Sequence, residues 1–252
     1  MKRELKIFLT SVLFFTRIPV HSWFTYREEY LNHGSRYFPL VGLIVGGIGA
    51  GVFWFANLIF PVSVSVGLST VATIWTTGAF HEDGFGDVCD AFGGGWTREK
   101  ILDIMKDSRV GAYGALGMFM IILLKIISLI EIPAEILPFT LISGHALSRW
   151  AANSTMHSHE YVTEGELSKS KLLAQRMNFG DLIISLFFAL IPAFWNPMAT
   201  GAGLIAVFLV KLWMASFFKK WIGGYTGDCL GAIQQVAEVV YYLVVLAMVN
   251  YF

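Results

Sequence analysis

The strongest constraint on this chain is the length of its apolar runs. A helix needs about 20 consecutive apolar residues, in a range of about 17–25, to cross the hydrocarbon core of a bilayer. Seven stretches lie at or near that length: 37–60, 61–80, 111–131, 133–156, 180–195, 197–217 and 230–252. Proline-bearing turns at Phe60-Pro61, Ile132-Pro133 and Asn196-Pro197 separate several of them. The 180–195 stretch is short and implies tilt or local thinning of the membrane. An eighth run, Ile7–Val20, is shorter still and ends in Arg17-Ile18-Pro19. It reads as an interfacial or re-entrant helix, since no small-residue cleavage pattern follows it. The expected fold is an all-α integral membrane bundle of about seven transmembrane helices plus this N-terminal helix. Residues 1–252 form one membrane-embedded domain in this reading.

Composition removes the alternatives. Charged residues make up 14% of the chain, where a soluble domain carries about 25%. The 18 basic and 18 acidic residues balance, so no positive field attracts nucleic acid. Two cysteines cannot form a disulfide framework.

The charges that remain are distributed unevenly. With residue 37 on the cytoplasmic side, the inside segments are 1–36, 81–110, 157–179 and 218–229, and they hold fifteen of the eighteen Lys and Arg residues. The outside connections and the C-terminal tip hold none. By the positive-inside rule every polar loop of any length then faces the cytoplasm. Within the first span, Gly42–Gly46 and Gly47–Gly51 have GxxxG spacing. Such small faces suit close packing inside one bundle or contact with a second copy of the chain.

The segment His81-Glu82-Asp83-Gly84-Phe85-Gly86-Asp87-Val88-Cys89-Asp90 packs four carboxylates into nine residues. On a continuous helix Asp83, Asp87 and Asp90 share one face. Gly84 and Gly86 are poor helix residues, so a turn here is the competing expectation. Clustered hard oxygen donors suit Mg²⁺, Mn²⁺ or Ca²⁺ rather than soft metals. After Gly93-Gly94-Gly95, Thr97 is placed to cap an amphipathic helix, with Trp96 stapled onto Ile101. Then come Lys106, Asp107, Ser108, Arg109 and Gly111. Cations, a hydroxyl and open backbone N–H groups at a helix start are what a phosphate needs.

A further polar knot, Gly223-Gly224-Tyr225-Thr226-Gly227-Asp228-Cys229-Leu230-Gly231, opens the last span, and Gln234 and Glu238 continue it to lipid depth. An intramembrane acid is a candidate for function. It is also a candidate partner for Lys125, Arg149 or Lys211, the cations inside the spans. Arg149 has His145 and Asn153 one turn to either side.

Several of these blocks resemble, in order, those of the cobalamin synthase family. They are Phe14–Val20, Tyr37–Gly42, Thr77–Gly84, Ile104–Gly111 and Gly224–Asp228. Glu82 stands where that family often has leucine. The resemblance implies the last assembly step of adenosylcobalamin synthesis at the cytoplasmic membrane. Adenosylcobinamide-GDP is joined to α-ribazole or its phosphate, and GMP leaves. On that reading Mg²⁺ sits on Asp83, Asp87 and Glu82, with Asp228 completing the shell or holding the ribazole. Lys106 and Arg109 clamp the phosphates, Asp90 or Asp107 accepts the proton of the attacking hydroxyl, and Ser108, Gly111, Arg149, Gly224, Thr226, Gly227 and Glu238 contact substrate. Two other classes fit less well. A CDP-alcohol-type lipid phosphotransferase would place an Asp three residues before Asp83 and an Ala-Arg pair after it. A transporter would spread its acids along a crossing path.

Overall fold

In the computed structural model, residues 3–20, 30, 33–162 and 176–251 are described. Lys2, Arg27, Lys169 and Lys171, counted above among the loop cations, lie outside them. The described residues form ten α-helices: α1 (Arg3–Phe15), α2 (Phe38–Asn57), α3 (Val62–Thr77), α4 (Phe80–Gly94), α5 (Arg98–Met105), α6 (Ala112–Ile130), α7 (Leu137–Ser158), α8 (Phe179–Leu190), α9 (Pro197–Ile222) and α10 (Gly227–Tyr251). The all-helical, membrane-capable expectation therefore holds.

Length and apolarity identify four helices able to cross a membrane: 35–57, 112–130, 197–222 and 227–250. A fifth is gained if α3 and α4 count as one broken span. Three of the seven expected stretches do not meet that standard alone. α3 has 16 residues and stops at an 87° elbow. α8 has 12 and runs into a 3-10 turn. α7 is long enough but polar, and it is buried along almost its whole length.

That burial explains the architecture. α7 is the central pillar, packed most extensively by α2 and also by α10. Ser143, His145, Ser148, Arg149, Asn153, Ser154 and Thr155 on it are all buried, which is tolerable only because protein, not lipid, surrounds them. α2 comes close through Gly42 and Gly46. A Cβ on Gly42 would run into the His145 carbonyl, and one on Gly46 would lie 2.7 Å from Ile142 Cα. The first GxxxG pair is thus spent inside the bundle, whereas Gly47 and Gly51 meet nothing within 4 Å. Gly42→Val is expected to cost about 1–3 kcal/mol by overpacking, read as a lowered unfolding temperature in detergent. Gly47→Val should leave it unchanged.

The elbow between α3 and α4 is made by Gly78 and Ala79, both left-handed at φ 68° and φ 60°. Glycine adopts this freely, while alanine pays roughly 1–2 kcal/mol. The break therefore precedes the acidic segment, and α4 runs unbroken through Gly84 and Gly86. At α5, Thr97 does cap the helix, accepting from Lys100 N at 3.3 Å. The staple does not form, because Trp96 is 82% exposed. The starts of α2, α6, α8 and α10 meet the ends of α3, α7 and α9 at one end of the bundle. Arg98 Nε donates to Ile222 O there at 3.0 Å. Tyr225 N donates to Glu160 O, and Val162 N donates to Tyr225 O. Arg36 ties α8 in through Asp181 at 2.9 Å and α1 through Glu4.

Candidate active site

α4 sorts its acids by face. Asp83 is exposed and Asp87 half-buried on one side, while His81 and Glu82 are buried on the other. The glycines that argued for a turn let neighbours approach. A Cβ on Gly84 would lie 3.0 Å from Asp228 Cα, and one on Gly86 would lie 3.0 Å from Met118 Sδ. Asp228, in the first turn of α10, is thereby set across from Asp83 and Asp87. Burial, with the Asp228, Asp83 and Asp90 carboxylates, pushes the Asp87 carboxyl up to about 7. Three acids from two helices are held together against their repulsion.

This donor set suits a hard divalent cation. Among the described residues no three His, Cys, Asp or Glu side chains enclose an ion by themselves. Mg²⁺ usually takes only one or two protein carboxylates and fills its shell with water and substrate phosphate. The carboxylates of Asp83, Asp87 and Asp228 are donors of the kind such an ion takes, without forming a three-ligand group among the described residues. Glu82 is not brought to this group.

The two expected proton acceptors are engaged elsewhere. Asp90 accepts from Gly111 N at 2.7 Å and from Gly114 N at 2.8 Å, so it caps the start of α6. It also pins the Lys106–Gly111 loop about one turn along α4 from Asp87. Asp107 takes the Arg109 guanidinium at 2.6 Å, and hydrogen bonds from Arg109 hold its carboxyl down at about 2. Arg109 is otherwise open, with 88% of its side chain exposed, and Lys106 and Ser108 are exposed beside it.

The knot before α10 is structural in part. A Cβ on Gly224 would collide with the Glu160 carbonyl, and the Thr226 hydroxyl accepts from Cys229 N at 3.3 Å. Gly227 has nothing within 4 Å of its absent Cβ.

Glu238 and Arg149, expected at the substrate, lie in a separate buried network. Glu238 meets Lys125 at 2.9 Å and His145 at 3.1 Å. It also accepts from Gln234 at 2.6 Å and Tyr242 at 3.2 Å. Gln235 donates to Glu82 at 3.0 Å and accepts from Lys125 at 3.0 Å. Arg149 donates to the His145 carbonyl at 3.0 Å. Two cations, Lys125 and Arg149, thus balance Glu82 and Glu238 in the buried interior. Gln235, which links the halves, carries no sequence signal beyond its polarity at lipid depth.

The chain matches the family described as cobalamin-5-phosphate synthase over residues 7–246. It is 48% identical to the adenosylcobinamide-GDP ribazoletransferase of Shewanella frigidimarina, covering 98% of this chain and 96% of that protein. The enzyme of the same name from Shewanella amazonensis is 47% identical, covering 98% and 97%. That of Leptospira interrogans is 40% identical over 96% of each. No solved structure matches significantly.

Proposed function

The chain belongs to the cobalamin-5-phosphate synthase family, and from that premise we propose the reaction it carries out at this site. It transfers the cobinamide phosphate moiety of adenosylcobinamide-GDP to α-ribazole or its phosphate and releases GMP. The near-full-length likeness to enzymes of that name carries this reading. A ribose hydroxyl oxygen forms the new bond to phosphorus and gives its proton up to solvent, the P–O bond to GMP breaks, and GMP departs with the bridging oxygen. Asp83, Asp87 and Asp228 would hold Mg²⁺ or Mn²⁺, which supplies charge neutralisation on the diphosphate and the leaving group. Arg109, released from Asp107, and Lys106 take the non-bridging oxygens. Asp90 fixes that loop beside the acids through Gly111 and Gly114.

The loop-bearing end of the bundle faces the cytoplasm of the inner membrane on this proposal. Arg98, Lys100, Lys106, Arg109, Lys219 and Lys220 gather there, as the positive-inside rule requires. With α7 and the α8 segment crossing beside the four longer helices and α3, the count returns to seven.

The test is GMP release by the purified protein given adenosylcobinamide-GDP, α-ribazole and Mg²⁺. No release would refute the assignment. Within that assay, Arg109→Lys separates a phosphate clamp from a topological anchor. Lysine keeps the charge that orients the loop but lacks the planar fork. Normal insertion with at least about a tenfold loss of kcat/KM is expected, equivalent to roughly 1.4 kcal/mol. Wild-type turnover would reduce Arg109 to an anchor.

A further inference from the structure

α4 and α10 meet through glycine. A Cβ on Gly84 would lie 3.0 Å from Asp228 Cα, and one on Gly231 would lie 3.2 Å from His81 O and 3.5 Å from Gly84 Cα. Backbones this close have no side chain between them, and interdigitating side chains are what usually fix how one helix sits on another. The glycine contact alone leaves α4 free to turn about its axis. The acid cluster requires that it does not, since Asp83 and Asp87 come from α4 and Asp228 from α10. Groups that share one ion must be held to within about 0.5 Å.

The restraint lies two turns deeper. Gln235 follows Asp228 by seven residues, so both project from one face of α10. Its Nε2 donates to Glu82 Oε1 at 3.0 Å. Among the described residues this is the side-chain hydrogen bond that joins α4 to α10. The Gln235 amide is itself clamped. Its Nε2 also donates to Gln234 Oε1 at 2.8 Å, and its Oε1 accepts from Lys125 Nζ on α6 at 3.0 Å. Glu82 and Asp83 are neighbours on α4, about 100° apart around the helix. A rotation of α4 that breaks the Gln235 bond therefore swings Asp83 and Asp87 away from Asp228.

Stability does not explain this bond. Glu82 is 6% exposed, its Oε2 has no hydrogen-bond partner, and Lys125 stands 3.9 Å from its Oε1. A carboxylate buried with so few partners adds little to stability. What it supplies is orientation.

We propose that Gln235 and Glu82 are positioning residues for the transferase site: their bond fixes the rotation of α4 against α10 and so holds Asp83 and Asp87 opposite Asp228. The inference rests on the metal-assisted reading above for its catalytic consequence. The helix orientation it assigns is independent of that reading.

Gln235→Met tests it, because methionine keeps the length of the side chain and leaves Lys125 on Glu238 at 2.9 Å. Mn²⁺ binding to the purified protein, without substrate, is read by electron paramagnetic resonance beside the Mg²⁺ dependence of GMP release. The expected result is a Mn²⁺ Kd raised about tenfold, with the Mg²⁺ concentration for half-maximal release raised by the same factor. Tyr242→Phe removes a 3.2 Å bond to Glu238 in the same network, one that does not involve α4. It should lower the unfolding temperature and leave the Mn²⁺ Kd unchanged. Glu82→Gln keeps an acceptor for Gln235 and should bind Mn²⁺ like the wild type, while Glu82→Leu should follow Gln235→Met. If Gln235→Met does not fold, the two Glu82 variants decide. An unchanged Mn²⁺ Kd in Gln235→Met would overturn the proposal. So would Glu82→Gln binding as weakly as Glu82→Leu, because charge rather than position would then be the cause.

A readout without metal separates this inference from its parent. In a Cys89→Ser, Cys229→Ser background, Asp87→Cys with Asp228→Cys should be cross-linked by a short bifunctional thiol reagent. Adding Gln235→Met should slow that cross-linking about tenfold, and equal rates would overturn the proposal. A wild type that releases no GMP and binds no Mn²⁺ sinks the parent reading instead, and the cross-linking rate still decides whether this bond orients the helices.

Discussion

Asp87→Asn is expected to lower GMP release about a thousandfold while leaving the protein folded. Asparagine keeps the size and position of the carboxylate and removes its charge. That charge is disfavoured by burial and by the Asp228, Asp83 and Asp90 carboxylates, so the substitution relieves this electrostatic penalty and leaves the metal-free bundle at least as stable as the wild type. The activity it forfeits is transition-state stabilisation by a bound cation, several kcal/mol, and a thousandfold is about 4 kcal/mol. Mg²⁺ should raise the unfolding temperature of the wild type and not that of Asp87→Asn. Asp83→Asn should follow the same pattern. Both variants retaining turnover at limiting Mg²⁺ would end the proposal that these acids hold the ion.

Glu238→Ala should show the reverse, a loss of folded protein before any question of activity. Glu238 is 1% exposed and is contacted by Lys125, His145, Gln234 and Tyr242. Removing it leaves Lys125 as a buried cation with only the more distant Glu82, at 3.9 Å, and the Gln235 amide. Breaking one side of a buried pair typically costs about 3–5 kcal/mol, which for a chain of this size lowers the unfolding temperature by at least about 6 °C. Lys125→Met combined with Glu238→Gln should recover more than half of that loss, because no uncompensated charge remains. A Glu238→Ala protein that melts like the wild type would show that the network contributes nothing to stability.

These two acids also mark what could be read from sequence. Asp83, Asp87 and Asp90 were legible as one helix face because their spacing follows the helical period. Thr97 was legible because a cap is a local interaction. The elbow was not, since it depends on a left-handed Ala79, which propensity argues against and only the surrounding packing enforces. Glu82 looked like a metal ligand by proximity in sequence, but one helical step carries it to the opposite face. There Gln235, 153 residues away, defines its surroundings. Asp90 was recognised as functional chemistry, yet its partners are the backbone amides of Gly111 and Gly114, and no side-chain pattern announces them.

The polar character of α7 has a consequence for how the chain reaches the membrane. An arginine at the centre of a span costs about 2.5–3.5 kcal/mol on insertion scales, and α7 adds His145 and Asn153 to Arg149. One of its polar pairings comes late in synthesis, since Ser148 is bonded by Gln234, 86 residues further on. At about 5–20 residues per second, the ribosome takes roughly 4–17 s to cover that distance. During this interval α7 has α2 beside it but lacks α10. Until the last segment emerges, α7 lacks the helix that pairs its Ser148 and covers its polar face.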